Sequence, residues 1–305
     1  MVVRPADAGK TLEKLLGRRL VGATWPQIGR LIRTKRVLVD GAVGARGQVV
    51  QAGQRVVVQP GAARAPAPPQ PNKRLHLTIV HEDPDLAVVL KPAGRPVHPG
   101  PGHGTDTMLN GFVARWPELV ALGLERGHGL VHRLDLDTSG LLVVARTARA
   151  YDGLVAAFAS REVEKEYLAI VRGRCLPSGV VDEPVEDKPA RTRFETLETV
   201  QGERGSASLV RAFPETGRTH QIRIHLASLG HPVLHDRRHG DGVKPADEPV
   251  GVPRLALHAH KLAFSHPVTK ERLSFEAPLP RDLRRAWKKA GGTTPLVVGD
   301  EPAEG

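Results

Sequence analysis

The chain holds a single cysteine, Cys175, among its 305 residues. One thiol excludes an internal disulfide framework and fits a reducing compartment, which leaves Cys175 an ordinary packing residue. The N-terminus, Met1-Val2-Val3-Arg4-Pro5-Ala6-Asp7, lacks an apolar signal region, and no apolar run approaches the ~20 residues a membrane span needs. A cytoplasmic protein without a membrane partner is expected. Acidic residues are scarce in one place: residues 1–60 carry eleven Lys or Arg against three Asp or Glu, +8 of a formal net charge of +11. A folded segment with this excess favours a polyanion through release of counterions from phosphates, and RNA is the natural candidate.

A chain of this length accommodates more than one core. Leu12, Leu15 and Leu16 share a helical face, as do Ile28, Leu31 and Ile32 in a second helix over 25–32. Residues 37–43 form a strand with an Asp-Gly turn, and 54–58 another strand. These elements define a small α/β domain at 1–59. Residues 60–73 are too rich in Pro and Ala to continue a core and form a semi-rigid linker. From 74 to 290, strand-like runs (86–90, 140–146, 167–172, 208–213 and 273–276) alternate with helical stretches (108–115, 150–160 and 219–229), indicating mixed α and β. Residues 291–305 are expected to be a loose tail.

The most informative stretch is His132-Arg133-Leu134-Asp135-Leu136-Asp137-Thr138-Ser139-Gly140, followed by the apolar Leu141-Leu142-Val143-Val144-Ala145. A polar loop bearing an Arg and a carboxylate ahead of a buried strand suits an active-site loop on a rigid sheet. Taken alone, Arg-Leu-Asp also fits a surface ion pair. Further blocks stand in order around it: Val80 to His98 with its Lys91-Pro92-Ala93-Gly94 turn, Lys165 to Val171, Gly217-Arg218-Thr219-His220-Gln221-Ile222-Arg223-Ile224-His225-Leu226, and Leu255 to Ala259. Together they resemble the RluA family of RNA pseudouridine synthases.

The resemblance implies an α+β pseudouridine synthase catalytic fold, with a central, mostly antiparallel mixed sheet, flanking helices and a cleft. It makes Asp135 the nucleophile, Arg223 its ion-pair partner, and Tyr167 a residue that stacks on the target uracil and is the candidate base for the final proton. Arg133 would fill the place of the flipped nucleotide, His132 would support the loop, Lys165 would meet a phosphate, and Arg218, His220 and Gln221 would line the substrate. The N-terminal domain resembles an S4 RNA-binding domain, with Arg18, Arg19, Arg30, Arg33, Lys35 and Arg36 as phosphate contacts. There, Thr34-Lys35-Arg36 stands where S4 sequences usually carry a Gly.

Forming pseudouridine breaks the bond from C1′ to N1, turns the base and joins C1′ to C5, with no redox change. Neither a metal nor an organic cofactor is required. A carboxylate can attack C1′, as in retaining glycosidases, or add to C6 of the ring. A stacked uridine must first be flipped out, at a cost of a few kcal/mol. Isolated spacings among His220, His225, His231, His235, His239, His258 and His260 suit zinc, but no Cys or evident acidic partner completes a site. Two departures from the family stand nearby: His235 precedes Asp236 where Gly is usual, and His239 precedes Gly240 where Tyr is usual. The expected substrate is large-subunit ribosomal RNA, with transfer RNA as an alternative. A non-catalytic ribosome-assembly factor is the competing class. The family's habit is a monomer.

Overall fold

In the computed structural model, which describes residues 1–20, 23, 25–59, 68–100, 103–202 and 204–294, the chain divides into two units, Met1–Ala67 and Pro68–Gly305. In the first, α1 (Leu12–Arg19) and α2 (Trp25–Arg33) accompany a three-stranded antiparallel sheet of β1 (Val37–Val39), β2 (Ala42–Val43) and β3 (Val56–Val58), in the order β2-β1-β3. Leu12, Leu15, Leu16, Ile28, Val37 and Val56 are buried together. The Asp-Gly turn forms as expected: Asp40 and Gly41 both take positive φ (51° and 84°), the type I′ geometry whose twist matches that of the flanking strands. Where the S4 pattern wants a glycine, Lys35 itself adopts the left-handed conformation (φ 57°). Its N–H donates to Ile32 O and that of Arg36 to Leu31 O, so α2 ends in a Schellman motif despite the missing glycine.

The second unit contains β4 (Thr78–Glu82), β5 (Leu86–Lys91), α3 (Met108–Arg115), β6 (Ser139–Ala145), α4 (Ala148–Ala159), β7 (Glu164–Arg172), β8 (Ser178–Val181), β9 (Thr192–Gly202), β10 (Gly205–Pro214), α5 (Gln221–Ser228), β11 (Leu257–Ser265), β12 (Arg272–Glu276) and α6 (Arg281–Lys289). The strands form one sheet in the order β4-β5-β6-β11-β7-β10-β9-β8, with β12 paired to β11. Every pairing among the named strands is antiparallel except that of β6 with β11. All seven residues of β6 are buried, as a central strand covered on both faces requires. Gly140 sits at φ 124° so close to β11 that a Cβ would lie 2.3 Å from the Ala259 carbonyl oxygen. Only glycine fits there, which explains the Gly140 that closes the loop of Asp135. Cys175 is buried in the core around β7 and β10.

Two boundaries differ from the sequence reading. Of the 60–73 linker, residues 60–67 lie outside the described residues, and the remainder belongs to the second unit. Asn72 N–H donates to Asn110 O, and Asn110 Nδ2 donates to Gln70 O. Of the 291–305 tail, residues 295–305 likewise lie outside the described residues, and the preceding stretch is anchored rather than loose. Glu198 on β9 accepts hydrogen bonds from Trp287 Nε1 and from the N–H and hydroxyl groups of Thr293 and Thr294. Burial pushes the Glu198 carboxyl up, but these donors outweigh it and hold its pKa at about 2. A depressed carboxylate stabilises the fold above its unfolded pKa, and that contribution is lost as pH falls from about 4.5 toward 2. Glu198→Gln should therefore lower the melting temperature at pH 7 by roughly 2–4 °C, the effect of about 1 kcal/mol in a chain of this order of size. Paired thermal melts should show the difference vanishing near pH 2.

Candidate active site

The loop before β6 is fixed from three sides. Leu134 is buried under α3, and the Thr138 N–H donates to Asp135 O, closing a tight turn. The buried Lys91 ammonium donates to three carbonyl oxygens, of Pro92, Arg95 and Leu136. It thereby fastens the Lys-Pro-Ala-Gly turn to the residue after Asp135. Burial pulls the Lys91 pKa down to about 7, against the carboxylates of Asp137 and Asp135, which favour its charged form. Three carbonyl acceptors match the three donors of an ammonium, so the fastener works in its protonated state. On the other side, β11 pairs with β6 at only two positions, and the Val143 N–H beyond them donates to His132 Nε2 at 3.0 Å. The His132 ring stacks on Phe158 of α4, and burial lowers its pKa to about 3. His132 is therefore a neutral support for the loop and the sheet.

Asp135 Oδ2 accepts from Arg223 Nη1 at 3.0 Å. The same guanidinium donates through Nε and Nη2 to the two oxygens of Asp236, at 2.6 and 2.7 Å. Asp236, 1% exposed, also accepts the N–H groups of Arg238 and His239. Burial pushes its carboxyl up, but the Arg223 hydrogen bonds prevail and keep it below the usual carboxylate range. Sequence reasoning noticed Asp236 only as the neighbour of a departure. The bidentate fork that orients Arg223 comes from a segment with no helical or strand periodicity to announce it. His235, in the place where glycine is usual, takes the left-handed conformation (φ 61°), so the local turn is kept.

Tyr167 lies in β7 between Ala212 of β10 and Ala259 of β11, and packs against two of the apolar clusters. Burial and then the charge of Asp135 push its phenol pKa up. Lys165, on the same face of β7, donates to Thr216 O, and burial followed by the charge of Arg161 lowers its pKa to about 8. Arg133 is exposed and, among the described residues, has no ion-pair partner. Arg218 donates to Pro189 O. Asp135, Arg133, His132, Lys165, Tyr167, Arg218, His220, Gln221 and Arg223 all line one cleft of about 520 Å³.

The helix carrying Arg223 begins later than periodicity suggests. His220 is left-handed (φ 58°), so α5 starts at Gln221 and Thr219 lies off its face. Gln221 is buried: its oxygen accepts from Thr216 Oγ1 and the Arg218 N–H, and its nitrogen donates to Arg191 O and Thr192 Oγ1. With every hydrogen-bonding position used, Gln221 braces the loop rather than reading substrate, which corrects the expectation for it. In the first unit, Arg19 and Arg18 are turned onto Asp7, at 2.6 and 3.3 Å. Arg19 is thus a structural ion pair, whereas Arg30, Arg33 and Lys35 are exposed and Arg36 is half-buried.

Of the histidines whose spacing suits zinc, His220 and His239 face each other and the others hold other protein groups. His225 meets Thr192 and Glu183 O, His231 meets Arg172 O, His235 meets Val252 O, and His258 meets Ser139. Among the described residues, ligand atoms of Asp83, Asp85 and His266 lie within 4.8 Å of one another. His266 Nδ1 already accepts the N–H groups of Val268 and Thr269, so its Nε2 carries the hydrogen facing Asp83. Asp83 also accepts two backbone N–H groups, making the cluster a hydrogen-bonded corner rather than a metal centre. Among the described residues, no helix is long and apolar enough to cross a membrane.

One cleft thus brings together a loop carboxylate, the buried arginine that grips it and a tyrosine. The family model described as RNA pseudouridylate synthase matches residues 85–228, the stretch that contains Asp135, Tyr167 and Arg223. The chain is 37% identical over 293 residues to ribosomal large subunit pseudouridine synthase D of Nitrosomonas europaea, covering 90% of this chain and 83% of that one. It is 35% identical over 304 residues to the protein of the same name in Xanthomonas campestris, covering 93% and 90%. Among solved structures, human RNA pseudouridylate synthase domain containing 4 superposes with a TM-score of 0.54 at 26% identity, covering 72% of this chain and 94% of that one. The chain belongs to the RNA pseudouridine synthase family and is an isomerase acting on RNA.

Proposed function

We propose that this enzyme converts specific uridines of large-subunit ribosomal RNA to pseudouridine, with Asp135 as nucleophile. The observation that carries the reading is the Asp135–Arg223–Asp236 bridge at the wall of the cleft. A guanidinium at 3.0 Å fixes the direction of the Asp135 carboxylate and faces its charge. Arg223 acts as orienter and electrostatic partner, itself aimed by Asp236. As the carboxylate bonds to the nucleoside, the bond from C1′ to N1 breaks. The base turns, C1′ joins C5, the carboxylate leaves, C5 loses its proton and N1 gains one. Tyr167, held protonated by its surroundings, serves as the stacking wall for the uracil. Arg133, exposed, planar and without an ion-pair partner among the described residues, fills the space that the flipped nucleotide leaves in the RNA.

The names of the bacterial relatives favour ribosomal over transfer RNA. Site-resolved pseudouridine mapping of both RNAs, from cells lacking the protein and restored with wild type or Asp135→Asn, tests the reading. Loss at specific large-subunit uridines, rescued only by wild type, is expected. Loss confined to transfer RNA would change the substrate, and no altered site would favour a non-catalytic RNA-binding protein.

The first unit fits an S4-like RNA-binding domain acting through Arg30, Arg33 and Lys35, with a monomer engaging the RNA from the cytoplasm. Deleting residues 1–59 should weaken RNA binding and flatten its dependence on salt by roughly one unit of slope per lost phosphate contact. Filter binding across a salt series checks this, and an unchanged slope would remove the unit from the interface.

A further inference from the structure

His220 and His239 form a pair whose hydrogen bonding the mechanism above does not use. His220 Nε2 lies 3.8 Å from Asp135 Oδ1, the oxygen not held by Arg223. Its Nδ1 lies 2.7 Å from His239 Nε2, with the rings edge-on at 73°. The backbone N–H of His239 donates to Asp236 Oδ1, so the carboxylate that aims Arg223 also places His239. One hydrogen must lie between the two histidine nitrogens, and its owner follows from the surroundings. A lone pair on His220 Nε2 would face the Asp135 carboxylate, so that nitrogen carries hydrogen. The neutral ring then presents a lone pair at Nδ1, and His239 Nε2–H donates to it.

We propose that His239 is a positioning residue that locks His220 in the Nε2–H tautomer, so that the two oxygens of Asp135 face different donors, Arg223 at Oδ2 and His220 at Oδ1. This rests on the assignment of Asp135 as nucleophile. An N–H aimed at Oδ1 from 3.8 Å, beyond hydrogen-bond distance at rest, stabilises the carboxylate if it closes on that oxygen as the carboxylate departs from the nucleoside. The charged and titratable groups around the pair are Asp135, Arg223, Asp236 and Arg238. Burial lowers both imidazole pKa values, so the lock stands at neutral pH. Protonating His220 in acid would set N–H against N–H and add a second cation beside Asp135.

The test compares His239→Phe, which removes the donor, with His239→Gln, whose Nε2–H can replace it without titrating. The readout is tritium release from total RNA labelled at uridine C5 and taken from cells lacking the protein, followed across pH under single turnover. His239→Phe should lose about fivefold in rate at neutral pH, the equivalent of about 1 kcal/mol for one hydrogen bond. Its acid limb should move to higher pH, because freeing Nδ1 makes His220 easier to protonate. His239→Gln should recover most of the rate and keep the acid limb low. Wild-type rate and profile in His239→Phe would overturn the proposal, as would equal impairment of both variants. Asp135→Asn run alongside separates the levels: if it stays active, the nucleophile assignment itself fails.

Discussion

Asp135→Asn should leave a folded, RNA-binding protein that does not turn over. The carboxamide oxygen can still accept from Arg223 across the 3.0 Å contact, so the loop keeps its main tether and Leu134 stays buried. What disappears is the negative oxygen proposed to bond to the nucleoside, and Glu215, which also lines the cleft, is paired with Arg191 at 3.5 Å. Asp137 is exposed and outside the residues lining the cleft. A loss of at least about ten-thousandfold is expected, in the range seen when an enzyme's nucleophile is removed. RNA affinity should hold or rise slightly, because a negative charge is lost beside phosphates. Tritium release from uridine C5 and filter binding measure the two quantities; turnover above about one hundredth of wild type would refute the role.

Asp236→Ala should harm both stability and rate, although this residue is not among those that line the cleft. Arg223 and Asp236 are 10% and 1% exposed, and the substitution strips two of the guanidinium's three hydrogen bonds in a place water hardly reaches. Leaving one partner of such a pair buried alone costs about 3–5 kcal/mol. That corresponds to roughly 10 °C in melting temperature for a chain of this order of size. The N–H groups of Arg238 and His239 lose their acceptor as well. With its aim gone, Arg223 no longer fixes the direction of Asp135, and a small misplacement of a reacting group can cost about a hundredfold. Thermal melts and single-turnover rates at a temperature where the variant remains folded separate the two effects. A variant as stable and as fast as wild type would reduce Asp236 to an incidental neighbour.

The sequence was most legible where one local rule operated. The helix over Met108–Arg115 has its expected bounds, capped by Thr107 and Asn110. The all-apolar run after Gly140 is the fully buried β6. Legibility failed where a single residue broke periodicity. His220 in the left-handed region starts α5 two residues late, and this turned Gln221 from an expected substrate contact into an internal brace. The strand β9 reads Thr-Arg-Phe-Glu-Thr-Leu-Glu-Thr-Val-Gln-Gly, with too little apolar content to distinguish it from a loop, yet it pairs along its length with β10.

By itself, the sequence determined the family through ordered motifs and the basic character of the N-terminal segment through charge, and it singled out Asp135, Tyr167 and Arg223 as candidates for the chemistry. Each of these is carried by residue type and order, which need no coordinates. Only the tertiary structure decided which groups meet across long stretches of chain. Lys91 fastens the loop of Asp135, Asp236 aims Arg223, and His239 reaches His220, and all three depend on how loops are laid over the sheet. Side-chain hydrogen bonds between loops have no period, and a buried charge finds its partner only after the chain has folded.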